Sequence, residues 1–179
     1  MAAVTARKAT VHDAAPILAL VNELAAQQVM LPRSPASVVE NIRDFTVAEI
    51  DGEFVGAGAL HVTWTDLAEI RSLAVTPTAQ KRGVGKRIMM ELIEEAAQLQ
   101  VAKLFAFTYE QAFFEKCDFS VVEHASLPHK VFGDCLNCPK FNCCDEVAMV
   151  RVLRETDEEH DRGPLSLPRA SRPLPRAKL

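Results

Sequence analysis

The chain has 179 residues, 49% hydrophobic and 25% charged, so wholesale disorder is excluded and one ordinary domain with a sizeable core is expected. Twenty-four acidic against 20 basic side chains give a net charge of −4, which argues against a nucleic-acid partner. No apolar run of about 18 residues exists and the N-terminus lacks the order of a signal peptide, so no membrane span is expected and a reducing, cytoplasmic location is the default.

Val4 to Ala9 reads as a first strand. Asp13 is placed to cap a helix to about Gln27, with Ile17, Leu18, Leu20, Val21 and Leu24 at helical spacing. Leu31-Pro32-Arg33 interrupts, and Ser34-Pro35 opens a second, short helix with Pro in its first turn. Phe45 to Ile50 and Phe54 to Val62 are β runs around Asp51-Gly52-Glu53, a hairpin signal. Leu67 to Val75 is a further strand. A long amphipathic helix follows from about Gly83 to Leu99, its apolar face being Val84, Ile88, Met89, Leu92, Ile93 and Ala96. A strand from Lys103 to Phe107, a short helix from Gln111 to Lys116, and strands near Ser120–Val122 and Glu146–Leu153 complete the series. This order predicts an α/β domain around a mixed, mostly antiparallel sheet flanked by helices.

After Arg154 the composition changes. An acid block from Glu155 to Asp161 passes into Pro164, Pro168, Pro173 and Pro175 among Arg and Ser. Residues 1–154 are therefore expected to form the domain and 155–179 a disordered tail.

The most informative stretch is Gln80-Lys81-Arg82-Gly83-Val84-Gly85-Lys86-Arg87, between a strand and a long helix. Its glycines let backbone approach a ligand, the helix start offers unpaired N–H groups, and four cations fall within seven residues of an acidic chain. That is a footprint for a phosphate-sized anion. A Walker A loop is excluded, because Gln80 stands at its first glycine and Arg87 follows the lysine. A dinucleotide fingerprint is excluded because Ile88 stands at its third glycine.

Gln-x-x-Gly-x-Gly after a strand ending Leu73-Ala74-Val75, with Ala112-Phe113-Phe114-Glu115-Lys116-Cys117-Asp118-Phe119 further on, resembles the GCN5-related N-acetyltransferase superfamily. The resemblance implies acetyl-CoA as co-substrate. The backbone of Leu73, Ala74 and Val75 would pair with pantetheine, and Lys81, Arg82, Gly83, Val84, Gly85 and Lys86 would hold the pyrophosphate. It also makes a homodimer an expectation. Glu69 to Val75, Asn41 to Phe45 and Leu127 to Lys130 further resemble stand-alone N-acetylglutamate synthases, which implies L-glutamate as acceptor and a place in arginine biosynthesis. A chain of 179 residues is expected to be too short to hold an amino-acid kinase domain beside the transferase, unlike the two-domain members that the resemblance also brings in. Glutamine or another small amine is the alternative acceptor, and a non-catalytic acetyl-CoA sensor is the alternative class.

Glutamate carries two carboxylates, which the planar fork of Arg meets bidentately. Arg33, within the Leu31-Pro32-Arg33 element that the resemblance assigns to carboxylate binding, is the first candidate, followed by Arg71 and Lys130. Arg43 is a fourth cation with a bland reading at a helix end. Glu69, near the start of the central strand, is the candidate base, against a surface-glutamate reading. A backbone N–H near Leu73 would meet the developing oxyanion. Phe114 stands where the superfamily has an acidic tyrosine, so Tyr109 is the candidate acid, with a core aromatic role as its rival.

Four of the five cysteines lie between Cys135 and Cys144. Reduced thiols in the long loop from Leu127 to Asn142 are the expected state. The alternative is a structural zinc on Cys135, Cys138 and Cys143, completed by His129 or Asp134.

Overall fold

The computed structural model describes residues 3–127 and 144–155. Seven strands form one sheet in the order β1-β2-β3-β4-β5-β7-β6: Val4–Lys8, Phe45–Ile50, Glu53–Val62, Leu67–Val75, Lys103–Thr108, Ser120–Val121 and Val147–Val152 number β1 to β7 along the chain. Only β4 and β5 run parallel; the other neighbours are antiparallel. Four helices accompany the sheet, α1 Ala14–Ala26, α2 Pro35–Glu40, α3 Val84–Gln98 and α4 Gln111–Glu115. The expected fold class and element order are observed, with ends shifted by a residue or two.

One local expectation changes. Asp13 directly precedes α1, yet its carboxylate does not cap that helix. It accepts from the backbone N–H and hydroxyl of Thr10 (2.7 and 2.9 Å) and from the two terminal guanidinium nitrogens of Arg7 (2.8 and 2.9 Å). A short 3-10 turn, Val11–Asp13, intervenes before α1 and takes the capping box for itself. Ser34 behaves as expected, its Oγ accepting from the Ser37 N–H at 3.1 Å with Pro35 opening α2.

The β2–β3 turn has Asp51 at φ 54° and Gly52 at φ 82°, two consecutive left-handed residues as a type I′ hairpin requires. The main core lies between the sheet and α3, where Val84, Ile88, Met89, Leu92 and Ala96 are buried. On the opposite face, α1 and α2 cover Phe45, Val47, Ala57 and Ala59 with Ile17, Val21 and Val38.

Two irregularities create the space for a site. In the β3–β4 register, Ala57 faces Ala74 while Ala59 faces Arg71, so Ser72 and Leu73 together oppose Gly58. This is a β-bulge, and Ser72 sits in it at φ 52°. The extra residue lets Ile70 and Leu73 both pack on the α3 core, and it reverses which positions of β4 face α1. Secondly, β4 and β5 pair only at Leu67↔Lys103, Ala68↔Leu104 and Glu69↔Phe105. Beyond Glu69 the strands separate, leaving two facing backbone edges within the sheet.

Candidate active site

A cleft of about 510 Å³ opens at this separation. The second half of β4 contributes Ile70, Arg71, Ser72, Leu73 and Val75. The end of β5 and the start of α4 contribute Phe107, Thr108, Tyr109, Glu110, Phe113 and Phe114. Leu24, Gln27, Val29 and Met30 approach from α1 and the segment after it, and Gln80, Lys81 and Gly85 from the anion loop.

The anion loop has the backbone a bound phosphate needs. Lys81 is at φ 60° and Gly83 at φ 84°, left-handed residues that turn the chain before α3 begins at Val84. The first N–H groups of a 15-residue helix have no intrahelical partners and sit at its positive end. Gln80 braces the loop by donating its side-chain amide to the Val75 carbonyl (3.4 Å). Lys81, Arg82, Lys86 and Arg87 are exposed, and Arg87 is engaged with Glu91 one turn on.

At the bulge end, the Arg71 side chain is only 10% exposed and lies 3.7 Å from the Asp44 carboxylate. The same Asp44 oxygen is 2.7 Å from His61 Nδ1. Arg33 is not part of the cleft lining, but its Nε donates at 3.4 Å to Oγ of Ser72, which is. Arg43 is exposed in a 3-10 turn before β2, outside the cleft lining.

Of the residues expected from sequence, Arg71, Leu73, Val75, Lys81, Gly85 and Tyr109 line the cleft. Ala74 is buried opposite Ala57, and Val84 is in the core, so each offers the site its backbone only. Leu31 is half-buried beside the cleft. Glu69 is half-buried at the last β4–β5 pair, directly across from His61 on β3. Phe114 is 5% exposed and meets Phe113 and Phe119 edge-on, at 5.5 and 5.2 Å, as a core aromatic. Tyr109 is 39% exposed, and its hydroxyl donates to Asp145 at 2.6 Å. The phenol proton is thus aimed at a carboxylate, and donating it elsewhere requires the hydroxyl to rotate.

Lys130, Cys135, Cys138 and Cys143 lie outside the described residues. Among the described residues no group of three His, Cys, Asp or Glu could hold a metal ion. Burial pushes the Cys117 thiol up, away from nucleophile behaviour. Also among those residues, no helix is long and apolar enough to cross a membrane.

Asp44, Asp145 and Asn22, which holds the backbone of Arg33, escaped sequence reading. Asp44 falls within the Asn41 to Phe45 stretch without standing out in it, and all three meet their partners only through the tertiary fold.

The profile of the acetyltransferase (GNAT) family matches residues 19–119. An uncharacterised N-acetyltransferase of Chlorobaculum tepidum is 35% identical over 82% of this chain and 95% of its own length. An amino-acid acetyltransferase of Mycobacterium tuberculosis is 35% identical over 72% of this chain and 75% of its own. Among solved structures, N-acetylglutamate synthase from Neisseria gonorrhoeae, complexed with coenzyme A and N-acetyl-glutamate, superposes with a TM-score of 0.77 at 30% identity. That match covers 87% of this chain and 36% of the synthase. The anion loop, the bulged central strand and these relatives agree: the chain belongs to the GNAT family of acetyltransferases.

Proposed function

We propose that this acetyltransferase moves the acetyl group of acetyl-CoA to the α-amine of L-glutamate, the first step of arginine biosynthesis. The observation that carries the reading is the layout of the cleft. A cationic loop at a helix start lies at one end, and the largely buried Arg71 with nearby Arg33 lies at the other, with the separated β4 edge between. The mycobacterial and gonococcal relatives support it by their names.

Acetyl-CoA supplies the thioester that is attacked. The backbone N–H groups from Lys81 to Lys86 meet its pyrophosphate, and the β4 edge at Leu73, Ala74 and Val75 pairs with its amide-bearing arm. Arg33 and Arg71 hold the carboxylates of the acceptor. Glu69 takes the proton from the acceptor ammonium, directly or through one water. The Leu73 N–H in the bulge donates to the acyl oxygen as negative charge develops there. Tyr109, released from Asp145, returns a proton to the departing sulfur. Since a thiol titrates near about 8.5, the thiolate is a tolerable leaving group without that help.

The test is CoA release by purified protein with glutamate, glutamine and other amino acids. Glutamate is expected to give the highest kcat/KM, and Arg33→Ala to raise its KM by about tenfold or more while leaving the KM for acetyl-CoA in place. Tight acetyl-CoA binding with no turnover of any amine would identify a sensor instead of an enzyme. A glutamate KM indifferent to Arg33→Ala would overturn the carboxylate assignment.

A further inference from the structure

Arg33 lies between α1 and α2 in a stretch without regular secondary structure, and Pro32 before it has no N–H to anchor the chain. One side chain takes over that task. Asn22, on α1, accepts from the Arg33 backbone N–H through Oδ1 at 2.9 Å and donates from Nδ2 to the Arg33 carbonyl at 3.0 Å. The planar amide therefore meets both polar backbone groups of one residue, as a neighbouring strand would. Its orientation is fixed, because exchanging O and N would set N–H against N–H and oxygen against oxygen. The Ser34 cap on α2 secures the next residue, so the Arg33 backbone is held from both sides. From that anchor the side chain extends to Ser72 in the β4 bulge.

We propose that Asn22 is a positioning residue for acceptor binding: it sets where the Arg33 guanidinium stands relative to the bulge, and so the affinity for the acceptor carboxylate. The proposal rests on the assignment of Arg33 to that carboxylate. Because Asn22 touches neither the anion loop nor the reacting atoms, its loss acts on KM for the acceptor and spares kcat.

The experiment compares Asn22→Ala, Asn22→Asp, Arg33→Ala and the Asn22→Ala/Arg33→Ala double variant by steady-state kinetics with glutamate and acetyl-CoA. Asn22→Ala is expected to raise the glutamate KM about 5- to 10-fold, the effect of two lost hydrogen bonds. Its kcat stays within about twofold and its acetyl-CoA KM is unchanged. Asn22→Asp keeps the acceptor for the Arg33 N–H and loses the donor to the carbonyl, so it falls in between. The double variant is no worse than Arg33→Ala alone, since a positioner has nothing left to position. In parallel, amide exchange by NMR is expected to show protection lost at the Arg33 N–H and retained along α1. An unchanged glutamate KM in Asn22→Ala, or additive losses in the double variant, overturns the proposal while leaving the Arg33 assignment standing. A wild-type enzyme without glutamate turnover, or an Arg33→Ala variant with a normal glutamate KM, shows instead that the underlying assignment has failed. In either case the role of Asn22 in acceptor binding falls with it.

Discussion

Glu69 occupies the last residue at which β4 still pairs with β5, next to Ile70, the first β4 residue that lines the cleft. A base there is close to the cleft while its backbone is fixed by ladders on both sides. Glu69→Gln keeps the shape and removes the base, and is expected to lower kcat about a hundredfold or more with acetyl-CoA affinity unchanged, read by single-turnover kinetics and calorimetry. Tyr109→Phe is expected to cost less than about tenfold in kcat, because the phenol must first leave Asp145 and the thiolate is a tolerable leaving group without its proton. A larger loss that is present at neutral pH and narrows at high pH, where a phenol can no longer donate, would make Tyr109 the obligatory acid. At this scale the sequence points to the site where residues sit in a short motif, as with Lys81 and Gly85, which the fold does bring into the cleft lining. It is illegible where a contact depends on a partner far along the chain. Tyr109 and Asp145 are 36 residues apart, and nothing near either one announces the other.

Three helices end in the same way. Gln28, Gln100 and Asp118 each adopt a left-handed φ near 60° just past a helix. At each, the next N–H reaches back to close a Schellman turn: Val29 to Leu24, Val101 to Ala96 and Phe119 to Phe114. Such positions favour glycine, and a side chain there is strained by about 1 kcal/mol. At Asp118 an aspartate is one of the few side chains that adopt the conformation with some ease. Gln100→Gly is expected to raise stability by about 0.5–1 kcal/mol, visible as a higher denaturant midpoint. The reverse holds beneath α3, where a Cβ on Gly58 would lie 2.9 Å from both Ile88 Cγ2 and Leu73 Cδ1. Gly58→Val is expected to destabilise by about 1–3 kcal/mol through overpacking. It should also loosen the cleft, since Leu73 belongs to both. Helices and strands were readable because their apolar periods are strong. The bulge was not, because Ser72 carries no turn signature and a register shift is a relation between two strands. The separation of β4 from β5 escaped for the same reason.

For the molecule as a whole, the edge strand β1 is tied to its surroundings by charge. Arg7 joins Asp13 before α1 to Glu49 on β2, and its hydrogen bonds hold the Asp13 carboxyl well below the usual carboxylate range. Partial burial works in the opposite direction and loses. A lowered folded value means that this contribution is complete above the ordinary carboxylate range, near about pH 4, and fades as pH falls toward the folded value. Thermal melts from pH 6 to pH 3 should therefore fall more steeply for the native chain than for Asp13→Asn, which starts lower and is flatter. Parallel slopes would show that the pair is not coupled to folding. The β4–β5 opening has a consequence of a different kind. Among the described residues, the three-residue parallel zipper is the one strand ladder between the β1–β4 and β5–β7 halves of the sheet, which are also joined by the apolar layer under α3 and by the cluster of Leu67, Phe105 and Ala148 on the other face. A long ligand lying along both exposed edges acts as a splint between two folding units. At a hundred times its dissociation constant it adds about 2.7 kcal/mol to global stability. It should also slow hydrogen exchange along the inner edges of β4 and β5 first. If acetyl-CoA lies there as proposed, resistance to unfolding and to proteolysis is expected to rise with its concentration, read by pulse proteolysis over an acetyl-CoA titration.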